Sequence, residues 1–224
     1  MMMDNDDLQR MNKVLRHRLR NFASGIKSTA VFLSKELEGR LAPPEMEYFP
    51  LILHECDALS ELTGRFNLLF DEMPPGGTMV LGDLFRTLAS RLHDRFPTSP
   101  VCVQAEEGAL ETPIPMEQYL SIPLFELLTN AAEAAPSKDI LLACAWEDET
   151  LVFRVTDQGP GLGRDMTSAD LFKPFMTTKA KHLGMGLAIA VRLAAKAGGQ
   201  LSVELREQGG LQFVLKWPLK KASE

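Results

Sequence analysis

The sequence predicts an α+β protein: an N-terminal helical hairpin that pairs with a second copy into a four-helix bundle, followed by an α/β sandwich. Three observations carry this reading. Apolar residues step by three and four, or by their sums, along residues 8–37 and again along 52–70. The run Pro74-Pro75-Gly76-Gly77, which neither helix nor strand tolerates, cuts the chain behind them. Beyond the cut, helical stretches mix with short apolar runs of strand character. The pattern sets two domains, 1–73 and 78–219.

The first stripe is Leu8, Leu15, Leu19, Phe22, Ile26, Leu33 and Leu37, with Leu15 and Leu19 at core heptad positions. Gly39 and Pro43-Pro44 end that helix and make a turn. Ile52, Cys56, Leu59, Thr63, Phe66 and Phe70 form the second stripe, with Pro50 either in the first turn or at a kink. A lone hairpin cannot cover both stripes, whereas two copies can, so a homodimer is expected. In the second part, helices are expected over 81–96, 116–135 and 187–197. Strands are expected over 101–104, 140–146, 150–156, 201–206 and 211–217, the last two forming a hairpin around Gly209-Gly210.

Composition narrows the class. A hydrophobic share of 45% and a charged share of 24% are those of an ordinary globular protein. A net charge of −6 argues against nucleic acid as the main partner. The longest apolar runs, such as Ile140 to Trp146, are too short to span a bilayer, and the polar start from Met1 to Asp7 is no signal peptide. A cytoplasmic location is expected. Cys56, Cys102 and Cys144 lack metal-ligand spacing and read as buried, reduced thiols.

Four motifs follow one another in the second part. In Glu126-Leu127-Leu128-Thr129-Asn130-Ala131-Ala132-Glu133, the spacing puts Glu126, Asn130 and Glu133 on one helix face. Such oxygens suit Mg²⁺ held against nucleotide phosphates. Asp157-Gln158-Gly159-Pro160-Gly161 leaves a carboxylate at a strand end, able to accept from an exocyclic amine, with glycines that let backbone approach a flat ring. Phe172-Lys173-Pro174-Phe175-Met176-Thr177-Thr178-Lys179 offers paired aromatics to anchor a loop and, in Lys179, a charge for a terminal phosphate. Gly184-Met185-Gly186-Leu187 opens a helix whose amides favour anions.

Singly these motifs are weak. In this order and spacing they resemble the ATPase domain of the GHKL superfamily, over residues 78–219. The resemblance implies a Bergerat-type pocket for ATP, with Asn130 on Mg²⁺ and Asp157 reading adenine. Gly159, Gly161, Gly184 and Gly186 would shape the lid and phosphate loop, Thr178 and Lys179 would meet the nucleotide, and Gly163 to Leu183 would be the lid.

The N-terminal hairpin selects the branch. Leu15-Arg16-His17-Arg18-Leu19-Arg20-Asn21 is similar to the phosphoacceptor box of sensor histidine kinases. With Leu15 and Leu19 in the core, His17 points to solvent and Asn21 shares its face. The resemblance implies phosphorylation of His17 from ATP and transfer to an aspartate of a response-regulator receiver domain. It also makes Asn21 the residue that orients water in receiver dephosphorylation. One departure stands out: Arg18 occupies the position of the usual acid and cannot act as a base, so Glu126 or another carboxylate substitutes, or autophosphorylation is slow. Arg10, Lys13, Arg16, Arg18 and Arg20 form a basic surface suited to an acidic receiver pocket. Two alternatives stay open: a histidine phosphotransferase module that does not use ATP, and another GHKL ATPase such as an anti-sigma serine kinase.

Overall fold

A computed structural model of the chain describes residues 5–71, 73–74, 76–163, 166–177 and 183–219, with side chains from residue 11 onward. Contacts divide it into two units, Met1–Met73 and Pro74–Glu224. No helix among the described residues is long and apolar enough to cross a membrane.

The first unit is a hairpin of α1 (Asn5–Glu36) and α3 (Tyr48–Phe70), joined through the short α2 (Pro43–Met46). Pro43-Pro44 therefore begins a helical turn, where the sequence reading placed only a break. Prolines suit a first turn because its amides have no partner within the helix. Two cross-links set the direction of packing. Arg16 pairs with Asp71 at 2.5 Å, and Lys27 with Asp57 at 2.5 Å. As the α1 number rises the α3 number falls, so the helices are antiparallel.

The seam between them is not leucine. Ala23, Ala30, Cys56 and Thr63 are buried, together with Arg16. Ser60 and Thr63 satisfy their hydroxyls on helix carbonyls, Ser60 Oγ donating to Cys56 O and Thr63 Oγ1 to Ser60 O, both at 2.9 Å. Met11, Leu15, Leu19, Phe22, Ile26 and Leu33 all remain exposed in the single chain, Phe22 at 62%. The heptad stripe is therefore a second face of α1, about 70° round from the seam at 100° per residue.

The second unit is built on a five-stranded sheet in the order β2-β4-β5-β7-β6. Its strands are β2 (Val101–Ala105), β4 (Ile140–Glu147), β5 (Thr150–Thr156), β6 (Gln200–Leu205) and β7 (Leu211–Pro218). β2 runs parallel to β4 and every other pairing is antiparallel. A two-stranded ribbon of β1 (Thr78–Val80) and β3 (Pro113–Pro115), too short to read from periodicity, lies apart. α4 (Leu81–Arg95), α5 (Glu117–Ala134) and α6 (Gly186–Lys196) complete the unit.

Alternation along the strands fixes the core face. Leu142 stands opposite Val155, Cys144 opposite Phe153, and Phe153 in turn opposite Leu215. These side chains are buried, as are Leu84, Leu88 and Leu92 of α4, Leu124 and Leu128 of α5, and Ile189 and Leu193 of α6. Phe85 meets Phe153 edge to face at 6.1 Å, docking α4 on the sheet. Helices on one face of a mixed sheet make a two-layer sandwich. Among the thiols, Cys56 and Cys144 are buried but Cys102 is exposed. Cys102 lies on the edge strand, where only one neighbouring strand shields it.

Candidate active site

Asp157 directly follows β5, in phase with Phe153 and Val155, so it leaves the strand on the helix side and is buried. Its Oδ1 accepts from the Gly159 amide at 2.7 Å and the Leu211 amide at 3.3 Å. Its Oδ2 carries no hydrogen bond among the described residues. A buried carboxylate with one oxygen held by two amides and the other open is a fixed acceptor for a donor that arrives later.

Gly159 rests against the end of α5, where an added Cβ would lie 2.9 Å from the Ala134 Cβ. That contact sets the Asp157 loop beside the half-buried stripe of Glu126, Asn130 and Glu133. Glu133 has an ion-pair partner there, its Oε1 lying 3.7 Å from Arg95 Nη2 of α4. Glu133 is thereby tied to α4, which leaves Glu126 and Asn130 as the residues of this face expected to serve a metal.

Gly161, with φ +77°, lies against the carbonyl of Gly210. At the lid base, Gly184 has φ +62° and a Cβ there would sit 2.6 Å from the Met176 carbonyl oxygen. The Phe175 amide donates to Gly184 O at 2.9 Å. The glycine is demanded by crossing backbone, a tighter constraint than the approach of a phosphate expected from sequence. Gly186 is the first residue of α6, whose N-cap, Met185, gives no side-chain cap bond. Thr178 and Lys179, like His182 of the lid segment, lie outside the described residues.

The two aromatics expected to anchor the loop differ in exposure. Phe172 is half-buried, but Phe175 is exposed and strained at φ +66°. The described part of this loop is organised by Asp170. Its Oδ2 accepts from the amide and hydroxyl of Thr167 at 3.0 and 2.6 Å, and its Oδ1 takes Lys173 Nζ at 2.7 Å. Lys173 first, and Thr167 after it, hold the Asp170 carboxyl well below its ordinary range.

In the hairpin unit, His17 is exposed on α1, and Asn21 Nδ2 lies 3.3 Å from its Nδ1. Arg18 and Arg20 are exposed too, with Lys13. Arg16 is not part of that basic surface. It is buried in the seam on Asp71, with its guanidinium 5.5 Å from the centre of the Phe70 ring. Its heptad phase with Ala23 and Ala30 carries it inward, and the side chain of Arg10 lies outside the description.

Sequence reasoning missed the β6–β7 tip. Gly209-Gly210 reads as an ordinary turn, yet it packs on Asp157 from about fifty positions along the chain, a contact without local signature.

Comparison with known proteins places these features. Residues 117–221 match the family of histidine kinase-, DNA gyrase B- and HSP90-like ATPases. The chain is 25% identical over 209 residues to the sensory histidine kinase/phosphatase NtrB of Rhodobacter capsulatus, covering 87% of this chain and 58% of that protein. It is 30% identical over 169 residues to the C4-dicarboxylate transport sensor protein DctB of Rhizobium meliloti, covering 68% of this chain and 26% of that protein.

The chain carries this ATPase domain, and the relatives it resembles are sensor histidine kinases.

The chain spans little more than half the length of the first of these relatives and about a quarter of the second. Its fold is also that of solved histidine kinases. Full-length ShkA, solved in complex with AMPPNP, superposes with a TM-score of 0.81 at 22% identity, over 96% of this chain and 47% of that one. Acinetobacter baumannii AdeS follows at 0.63 and 19%, over 92% of this chain and 98% of that one.

Proposed function

We propose that this chain is an ATP-dependent protein-histidine kinase of a two-component relay, phosphorylating His17 and passing the phosphoryl group to an aspartate of a response-regulator receiver domain. The observation that carries this reading is the setting of His17. It stands exposed about 170° round α1 from the centre of the apolar stripe at 100° per residue. A second copy can therefore cover Leu15, Leu19, Phe22 and Ile26 while the imidazole stays open to incoming partners.

The residues of the second unit fit adenine nucleotide. Asp157 Oδ2 is the open acceptor for the exocyclic amine, and Gly159 and Gly161 shape the loop beside it. Asn130, with Glu126 on the same half-buried face, suits a hydrated Mg²⁺, which wants oxygen ligands. When bound, Mg²⁺ neutralises phosphate charge as the terminal phosphoryl is transferred. The uncapped start of α6 at Gly186, with Gly184 before it, and Thr178 and Lys179 of the lid segment would receive the phosphates. In the reaction, an imidazole nitrogen of His17 bonds to the γ-phosphorus, the P–O bond to the β-phosphate breaks, and ADP departs with its electrons. The ring proton must leave from the other nitrogen. Arg18 cannot take it, so Glu126 or another carboxylate does so, or the step is slow.

Radiolabelled ATP tests the reading. Acid-labile phosphate should appear on His17 and vanish in His17→Gln and Asp157→Asn. A chain that binds ATP yet never carries phosphate on His17 overturns it. The position of Arg18 favours a second mode of the same site. With Asn21 beside the imidazole, dephosphorylation of the receiver would outpace autophosphorylation, which loss of label from a phosphorylated receiver domain would reveal.

A further inference from the structure

We infer that Arg206, together with the Gly209-Gly210 tip of the β6–β7 hairpin, is the positioning element that aims the Asp157 carboxylate and so sets the choice of nucleobase. The inference rests on the reading of Asp157 as the residue that receives adenine. Arg206 follows β6, is half-buried, and turns its Nη1 onto the carbonyl of Asp157 at 3.0 Å and that of Gly209 at 3.5 Å. One charged donor thus ties the loop that bears the carboxylate to the tip that faces it.

The tip closes on Asp157 from several directions. Gly210 has φ +80°, and a Cβ on it would fall 2.2 Å from the Asp157 carbonyl oxygen and 3.1 Å from Oδ1. The Asp157 amide donates to Leu211 O at 3.0 Å, and the Leu211 amide returns a bond to Asp157 Oδ1 at 3.3 Å. Only glycine admits this approach, and it leaves no side chain of the tip itself to lock the loop. Arg206 supplies that lock. It fixes the main chain of Asp157 while the two amides fix Oδ1, so Oδ2 is presented in a single direction.

Direction matters because the 6-position separates the purines. Adenine offers an exocyclic amine there. Hypoxanthine offers a carbonyl, with its nearest donor at N1. A carboxylate held in one orientation serves the amine, whereas a released one can swing to the N1–H. Arg206 is therefore a positioning residue for base choice and need not touch the nucleotide.

The test is calorimetric titration of the full chain with ADP and with IDP, each with Mg²⁺, for wild type, Arg206→Met and Arg206→Lys. Wild type should prefer ADP. Arg206→Met should weaken ADP about fivefold to tenfold, the scale of one charge-assisted hydrogen bond, and IDP by less, so that the preference narrows. Arg206→Lys, which keeps one donor, should recover part of both and covers the case in which the methionine variant does not fold. If Arg206→Met binds ADP as wild type does, or loses ADP and IDP in equal proportion, the clasp is merely structural and the inference falls while the nucleotide reading stands. If the wild-type chain binds neither, or takes both alike, the reading of Asp157 itself falls.

Discussion

Asn21 holds its side-chain nitrogen 3.3 Å from Nδ1 of His17, one helical turn away and equally exposed. The amide can steady the ring but cannot carry off a proton, and Arg18 beside it cannot either. Restoring an acid should therefore speed the reaction. Arg18→Glu is expected to raise the initial rate of phosphate incorporation about tenfold or more, within the range of general-base effects, measured with labelled ATP under single-turnover conditions. A rate no higher than wild type would mean that a carboxylate elsewhere already does this work.

The ion pair of buried Arg16 with part-exposed Asp71 should hold the open end of the hairpin. Among the described residues, Arg16 Nε and Nη1 are buried without hydrogen bonds, so the ion is only partly compensated. Arg16→Ala is expected to cost about 1–3 kcal/mol in urea unfolding at fixed protein concentration, because it removes the cross-helix ion pair and empties the seam. The double change Arg16→Met with Asp71→Asn should regain most of that loss. Equal losses in both variants would show that packing, and not the charge pair, carries the stability.

Thiol chemistry separates the cysteines. Cys102 is exposed while Cys56 and Cys144 are buried, so alkylation of the native chain at about pH 8, near the ordinary thiol range, should label Cys102 alone. Burial, with Glu106 adding to it, pushes the Cys144 thiol from an ordinary 9.0 up to about 12. Between those values the unfolded chain has released this proton and the native chain keeps it. The contribution is therefore fully present below pH 9.0 and is lost as pH rises towards about 12. Cys144→Ala should flatten that part of the stability curve in urea titrations above pH 9.0. An unchanged slope would assign it to other groups.

Charge on the apolar stripe should separate the dimer. Ile26→Lys places an ammonium in the middle of the exposed row, and sedimentation should show a shift from dimer to monomer, whereas Ser24→Lys on the opposite face should leave the dimer intact. A wild-type chain that sediments as a monomer at every concentration would remove the bundle from the mechanism.

What could be read from sequence follows the range of the forces involved. Periodicity gave both long helices and the strands of the main sheet, because each buries a face whose repeat is local. It cannot tell the two apolar faces of α1 apart, since leucines at heptad spacing look alike whether they meet a helix of the same chain or of another. Arg16 was misread for the same reason: a long basic side chain scores as surface until Ala23 and Ala30 reveal which face is inward. The place of Asp157 at a strand end is legible because its loop is compact in sequence. Its contacts with Arg206 and Gly210 are not, because nothing local announces the hairpin that leads into the neighbouring strand β7. Likewise Gly184 was found for its motif, but the crossing backbone of Met176 that requires it was invisible.

α1 works as a three-sided rod, with the seam at Ala23 and Ala30, the apolar row at Leu19 and Ile26, and the imidazole of His17 on the remaining side. Its tolerance to change is therefore lopsided. Many single replacements on the wet side should pass unnoticed. Adding or deleting one residue between His17 and Ala23 would twist everything upstream by about 100°, turning the ring away from its visitors although every amino acid of the box were still present. Evolution of this segment should accordingly preserve its count of residues more strictly than their identities.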